Sequence, residues 1–252
     1  MSAPVFVVPT ERLVPGSVVV DGPEGRHAAT VLRLRVGEAV VLVDGAGRRG
    51  AGTVAAVLGK DAVEVDVSAV DDEPEPAPRL VVVQALPKGD RGETATETMT
   101  EVGVDEVVPW AAARCVTRWR EGRGDKALAR WRTTAQAAAK QSRRSRFPVV
   151  ADLASTREVV DRLRAAAAGL LLHEEAVLPL AGLVPPAEGE VVVVVGPEGG
   201  LSPEELAAFT EAGATAYRLG PTVLRTSTAG TAALAVLLAR TRRWQGPSAS
   251  GR

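Results

Sequence analysis

Along the first seventy or so positions, apolar residues come in short runs that alternate with polar ones and are cut by glycine, proline and aspartate. Residues 5–8, 17–20, 39–43, 50–57 and 62–67 are β-branched runs of this kind, which predict short strands joined by tight turns. Only residues 25–34 carry helical spacing. A series of short strands with one helical interruption predicts a small barrel.

The pattern then breaks at Asp71-Asp72-Glu73-Pro74-Glu75-Pro76-Ala77-Pro78. Prolines interleaved with acids neither continue a helix nor donate to a ladder, so this stretch reads as an extended, solvated linker. Beyond it, apolar runs at 80–86, 106–109, 169–172, 191–195 and 216–219 alternate with helical patterns at 91–102, 126–142, 155–168, 203–212 and 228–243. Nearly continuous apolar strands between helices predict an α/β fold with a mostly parallel sheet covered on both faces. The expected organisation is a domain at 1–72, a linker at 73–79, a second domain at 80–245 and a disordered Gly/Ser/Pro tail at 246–252.

Composition narrows the chemistry. With 3% aromatic residues, the core must be built from Val, Leu and Ala. One cysteine and two histidines leave no ligand set for zinc, so no metal is expected. The lone Cys115 fits a reducing compartment. The start is broken by Pro4 and Pro9 and lacks a basic cluster, unlike a signal peptide, and no apolar run approaches the ~20 residues of a membrane span. A soluble, cytoplasmic protein is expected.

The net charge of −1 hides an asymmetry: residues 111–150 carry nine Arg and two Lys against Glu121 and Asp125, a local +9. A field of that size attracts a polyanion, and nucleic acid is the partner it suggests.

Gly45-Ala46-Gly47-Arg48-Arg49-Gly50 matches the dinucleotide-binding spacing, but residues 51–57 alternate like a strand instead of opening a helix. The match reads as a hairpin loop. Val191-Val192-Val193-Val194-Val195-Gly196-Pro197-Glu198-Gly199-Gly200-Leu201-Ser202-Pro203-Glu204-Glu205 is different. Here a buried strand ends in glycines, and Ser202, Pro203 and Glu205 form the start signal of a helix. Gly196, Gly199 and Gly200 leave backbone groups approachable by a flat ligand and can adopt positive φ. A second loop, Leu219-Gly220-Pro221-Thr222-Val223-Leu224-Arg225-Thr226-Ser227-Thr228-Ala229-Gly230, again links strand to helix, with Ser227 or Thr228 as cap. Arg225 stands just before a helix N-terminus, which disfavours a cation, so it should have an anionic or polar partner, in a ligand or in a structural salt bridge.

Together these two loops resemble the signature of the ribosomal RNA small-subunit methyltransferase E family, within the trefoil-knotted (SPOUT) methyltransferases. Other segments agree in order. His27 with Val31-Leu32-Arg33, then Asp44-Gly45, resembles the family's RNA-binding, PUA-like amino-terminal barrel. Lys88, Arg91, Glu93, Glu101-Val102-Gly103-Val104, Pro109, Arg114, Gln141-Ser142, Arg144 and Pro148 resemble its catalytic domain. Thr222 and Ser227 depart from it, since the family often carries Arg and Glu at those places, and a Lys common before the Glu101 motif is missing.

The resemblance implies a knot in which the last helix threads an earlier loop, an exception to the usual unknotted rule. It implies that S-adenosylmethionine sits among three strand-end loops, against Leu172, Gly196, Pro197, Glu198, Gly199, Gly200, Leu219, Gly220 and Leu224. The implied reaction is methylation of uridine N3 in small-subunit ribosomal RNA, the partner being that RNA or the small ribosomal subunit itself. Arg225 would stabilise the uracil oxygen, and His173 or Glu174 would take the proton. His27, Arg33, Arg35, Arg114, Arg143, Arg144 and Arg146 would hold RNA, and a homodimer is implied. Two other readings stand beside it: a related knotted enzyme acting on a ribose 2′-OH or another base, and a non-catalytic RNA-binding assembly factor.

Overall fold

The computed structural model describes residues 3–120 and 122–245; the expected disordered tail lies outside the described residues. The chain divides into two units, Met1–Glu75 with Ala139–Phe147, and Pro76–Ala138 with Pro148–Arg252.

In the first unit, β1 (Val5–Val7), β2 (Gly16–Val20), β3 (Ala39–Val43), β4 (Arg48–Val57) and β5 (Val63–Asp72) form one sheet in the order β1-β3-β4-β5-β2. Only β1 and β3 pair in parallel. The period-two pattern explains the burial: Val63, Val65 and Val67 point inward with Phe6, Val18, Val20, Leu42 and Val54, while Glu64 and Asp66 face away. Strand β5 runs five residues past the expected end, because Asp71 and Asp72 pair with Arg49 and Arg48 of β4. The expected hairpin is present: Asp44 Oδ1 accepts the N–H groups of Ala46 and Arg48, and Gly45 and Gly47 hold φ of 78° and 115°.

The helical segment of this unit starts earlier than expected. Pro23 opens α1 (Gly22–Arg26), which widens into a looser turn over His27–Val31 and stops at Arg33, whose φ is 55°. A Cβ on Gly25 would fall 2.2 Å from the Asp61 carbonyl oxygen, so only glycine lets this helix lie against the sheet. Residues Ala139–Phe147 belong here because Phe147 N–H donates to Gly45 O (2.8 Å), Gly47 N–H to Ser145 O (3.1 Å), and Lys140 to Glu24 (2.6 and 2.8 Å).

The second unit contains β6 (Arg79–Ala85), α2 (Arg91–Val102), β7 (Glu106–Trp110), α3 (Arg123–Gln141, whose end belongs to the first unit), β8 (Val149–Val150), α4 (Thr156–Ala165), β9 (Ala168–Leu172), β10 (Leu178–Pro179), β11 (Glu190–Val195), α5 (Pro203–Glu211), β12 (Thr215–Arg218), α6 (Thr226–Leu238) and α7 (Arg242–Gln245). Its seven strands are all parallel, in the order β10-β12-β9-β11-β6-β7-β8. The two-residue strands β8 and β10 are too short for periodicity to reveal. Leu80 to Val83 and Val191 to Val194 are fully buried, as a sheet covered on both faces requires. The expected helix at 155–168 ends at Ala165, because Ala168 already belongs to β9.

At the amino ends of the central strands, Arg79, Glu106, Glu190 and Arg162 alternate in charge, with Arg162 bridging Glu106 (2.6 Å) and Glu190 (2.7 Å). Burial alone would raise the Glu106 carboxyl, but the Arg162 and Arg79 guanidinium groups hold it below the usual range.

Helix α6 differs from the expected 228–243 at both ends. It begins at Thr226 with Arg225 as N-cap and no side-chain cap, so neither Ser227 nor Thr228 serves. It stops at Leu238, after which α7 is fixed by Arg243 to both carboxylate oxygens of Asp105 (2.6 and 3.0 Å). A Cβ on Gly230 would lie 2.6 Å from Met99 Sδ, so this glycine lets α6 press onto α2. Gly230→Ala should therefore destabilise the fold by about 1–3 kcal/mol despite the better helix propensity of alanine. Thermal unfolding checks this; an unchanged midpoint would show that Met99 moves aside freely.

Candidate active site

In open parallel sheets, ligands bind beyond the carboxyl ends of the strands. Here the loops after β9, β11 and β12 converge on one cleft of about 620 Å³, within the ~300–1,000 Å³ usual for small-molecule sites. Its lining includes Leu172, His173 and Glu174 from the first loop, Gly196, Pro197, Glu198, Gly199 and Gly200 from the second, and Leu219, Gly220, Leu224 and Arg225 from the third. All the residues expected to be catalytic or to hold a cofactor are thus brought together.

The glycine loop owes its shape to identifiable contacts. Gly200 donates to Pro197 O (2.9 Å) with φ of 70°, a turn that glycine makes without strain. Gly196 and Gly199 do not use the positive φ open to glycine; their role is close approach. A Cβ on Gly199 would lie 3.3 Å from the Arg114 Cβ, and one on Gly196 would lie 3.3 Å from a Leu201 methyl. Beyond the loop, Ser202 and Glu205 form the expected reciprocal cap, with Ser202 N–H donating to Glu205 (3.0 Å) and Glu205 N–H to Ser202 Oγ (3.2 Å). The buried Glu205 carboxylate also accepts Ala113 N–H (2.7 Å), fixing the helix start to the segment after β7.

Two further side chains hold the loop. Glu198 accepts the Lys88 N–H (3.1 Å) and the Arg91 guanidinium (3.2 Å), and Arg114 donates to Gly199 O (3.1 Å). Burial opposes ionisation of Glu198, yet backbone N–H groups and Arg91 keep its carboxyl below the usual range. Glu198 is therefore a brace for the loop as well as part of its wall. Arg114, expected from the resemblance to touch RNA, spends one donor on the loop.

The second and third loops are joined by a hydroxyl. Thr226 Oγ1 donates to Gly196 O (3.0 Å) and accepts from Gln84 Nε2 (2.9 Å), while the buried Gln84 Oε1 has no partner. Neither residue was singled out by the sequence, although a glutamine inside the apolar run 80–86 is a readable signal. Arg225 lines the cleft with its side chain exposed and, among the described residues, without a hydrogen bond or ion pair. Glu174 and Glu175 line the same cleft, yet among the described residues no carboxylate pairs with the Arg225 guanidinium. Thr222 lines the cleft, whereas Ser227 is buried and does not.

His173 has a defined tautomer. Its Nδ1 accepts the Glu175 N–H (3.2 Å), so the neutral ring carries its proton on Nε2. Such a ring can donate to a ligand but offers no free acceptor. Cys115 is buried outside the cleft lining, and burial pushes its thiol up.

The remaining expected RNA contacts lie in the first unit. His27 is exposed and meets Phe6 edge-on at 6.2 Å; Arg33, Arg35 and Arg143 are exposed; Arg144 is half-buried and donates to Arg146 O (3.0 Å). Arg146 is engaged internally, with Glu73 O (2.9 Å) and Glu75 (2.9 Å). The basic segment is also less positive than its composition suggests, since Arg130 pairs with Glu93, Arg132 with Asp152 and Lys140 with Glu24. Among the described residues, no cluster of His, Cys, Asp or Glu could hold a metal ion, and no helix is long and apolar enough to cross a membrane.

Comparison with known proteins places this architecture. A family model described as an RNA methyltransferase domain matches residues 73–238, and one described as an RNA methyltransferase PUA domain matches residues 20–68. Fold and cleft are thus those of the RNA methyltransferases that pair a parallel α/β domain with a PUA-like one. Ribosomal RNA small subunit methyltransferase E of Mycobacterium bovis is 48% identical over 97% of this chain and 94% of its own length. The Bacillus subtilis protein of that name is 29% identical, covering 90% of this chain and 91% of its own. The crystal structure of ribosomal RNA small subunit methyltransferase E from Neisseria gonorrhoeae bound to S-adenosyl methionine matches with a TM-score of 0.82 at 29% identity, covering 94% of this chain and 98% of that one. The chain belongs to the ribosomal RNA small subunit methyltransferase E family.

The Thr226 bridge gives a direct expectation. Thr226→Val removes the hydroxyl and leaves buried partners unmatched, at a cost of about 1–3 kcal/mol. Ligand affinity of the cleft should fall with it, and Thr226→Ser should restore both. Calorimetric unfolding and S-adenosylmethionine titration check this; a Thr226→Val variant as stable and as tight-binding as wild type would exclude the bridge.

Proposed function

We propose that this protein transfers the methyl group of S-adenosylmethionine to N3 of a uridine in small-subunit ribosomal RNA. The observation that carries the reading is the convergence of the GPEGG and LGPTVLRTSTA loops on one cleft, in a family whose Neisseria gonorrhoeae member binds the same cofactor. The cleft suits that cofactor. Backbone groups of Gly196, Gly199, Gly200 and Leu219 line it beside apolar Leu172, Leu201 and Leu224, and a Cβ on Gly220 would meet nothing within 4 Å. Loop backbone and leucine side chains would hold the adenine and methionine parts. When bound, the cofactor supplies a methyl group on a cationic sulfur, an electrophile needing no metal.

N3 lies on the pairing edge of uracil, so the base must be unpaired or extruded before it enters. Its proton must leave as the N3–methyl bond forms. Glu174, exposed in the cleft and without a side-chain partner among the described residues, takes that proton. His173 is reassigned from acceptor to donor, because its Nδ1 is occupied and only Nε2–H is free to meet a uracil oxygen. Arg225 stabilises the negative charge that develops on uracil. Exclusion of water would help further, since charge is neutralised as the methyl moves.

His27, Arg33 and Arg35 of the PUA-like unit, with Arg143 and Arg144, grip RNA outside the cleft. We further propose that α6 threads an earlier loop and that the protein is a two-fold homodimer. The first is supported by burial of α6, the second by apolar Val177 and Val184, which are 86% and 74% exposed.

Transfer of labelled methyl to unmodified small-subunit RNA and to small subunits, followed by nucleoside mass spectrometry, should yield 3-methyluridine. A ribose-methylated product would redirect the assignment to another RNA methyltransferase. Arg225→Ala should lower methyl transfer by about 10²–10³-fold with little change in cofactor affinity. Equal loss of both, measured by single-turnover kinetics and calorimetry, would make Arg225 structural.

A further inference from the structure

Four guanidinium groups line the cleft, and their partners differ. Arg91 is held by Glu198 and Arg114 by Gly199 O. Arg225 and Arg218 make no side-chain hydrogen bond or ion pair among the described residues, and both are exposed. Arg225 has a role in the reaction above. Arg218 has none.

Its position is informative. Arg218 is the last residue of β12, at the carboxyl edge of the sheet, where Tyr217 pairs with Leu172 of β9. Glu174 and Glu175 line the same cleft, yet neither forms an ion pair with it. After Arg218 the loop presents residues 221–225 with every side chain exposed, including Val223 at 75%. The loop therefore begins and ends with an unpaired cation and has an open, partly apolar crest between them.

We infer that Arg218 is a phosphate-binding residue that grips the phosphodiester backbone of single-stranded RNA beside the nucleotide entering the cleft. The inference rests on the reading that a uridine of RNA is the substrate. A base admitted to the cleft brings a phosphodiester on either side, and a guanidinium fork matches phosphate oxygens with two parallel donors. Such a contact positions the strand without reading its sequence. The cofactor also carries an anion, its carboxylate, so the two sources must be separated.

The full-length protein and its Arg218→Ala and Arg218→Lys variants would be titrated by fluorescence anisotropy with a labelled, uridine-containing single-stranded RNA across a series of salt concentrations. S-Adenosylmethionine would be titrated separately by calorimetry. Loss of one phosphate contact should make the slope of log affinity against log salt shallower by about 0.7 in Arg218→Ala, with the slope kept in Arg218→Lys. Cofactor affinity should stay within about twofold of wild type, well under the tenfold that 1.4 kcal/mol represents. An unchanged slope in Arg218→Ala would reduce Arg218 to a solvated side chain. Weaker cofactor binding with the RNA slope intact would assign it to the donor's carboxylate and overturn the inference. Methyl transfer by the wild type separates the two levels: an inactive wild type defeats the substrate reading, whereas an active wild type with an unchanged slope defeats only Arg218.

Discussion

Over Ala232–Leu238 helix α6 carries only apolar side chains, and a helix segment apolar all round is stable only when packed within the protein. Thr226, Ser227, Ala229, Gly230, Ala233, Leu234, Leu237 and Leu238 are all buried, against α2, β6 and β11. That burial fixes where the loop before the helix must lie. Leu219 to Arg225 cannot drift from the sheet, because Thr226, the first helical residue, is tied to Gly196 at the end of β11 and to Gln84 on β6. The cleft is a consequence of this docking. Its two principal loops are far apart in sequence and share one hydroxyl.

The sheet separates structural charge from functional charge by its two ends. At the amino ends of the strands, Arg79, Glu106, Arg162 and Glu190 satisfy one another, and Arg243 of α7 closes on Asp105 just before β7. At the carboxyl ends, the charges divide. Glu198 and Arg91 brace the glycine loop, while Arg218, Arg225 and Glu174 are left to solvent or ligand. A buried ion pair is costly to break, because the survivor is stranded. An unpaired exposed cation costs little to keep, and is available to an incoming anion.

Much of this was legible in the sequence because the signals were local. Apolar runs gave the five principal strands of the parallel sheet, and Ser202, Pro203 and Glu205 gave the start of α5 to the residue. The two loops were recognisable as ligand loops from their glycines and their strand-to-helix setting. What escaped was set by distance. The return of residues 139–147 to the first unit depends on Lys140 meeting Glu24, and no periodicity encodes that pairing. The start of α6 was misplaced because a hydroxyl normally marks a cap, yet here Thr226 spends its hydroxyl on another loop. The local +9 was overstated for a similar reason, since its neutralising acids lie elsewhere in the chain.

The same distinction bears on mechanism. Sequence position alone makes His173 and Glu174 equal candidates for the proton, since they are adjacent and follow one strand. A single backbone contact separates them. With the Glu175 N–H on Nδ1, His173 cannot accept a proton without losing that bond, whereas Glu174 has no such engagement. In the proposed reaction their roles would complement each other, Glu174 receiving the proton and His173 donating a hydrogen bond from Nε2. Arg225 adds a full positive charge from the third loop. A donor, an acceptor and a cation thus come from two strand ends and face one space, an arrangement that suits a base whose N3 must lose a proton while its oxygens gain charge.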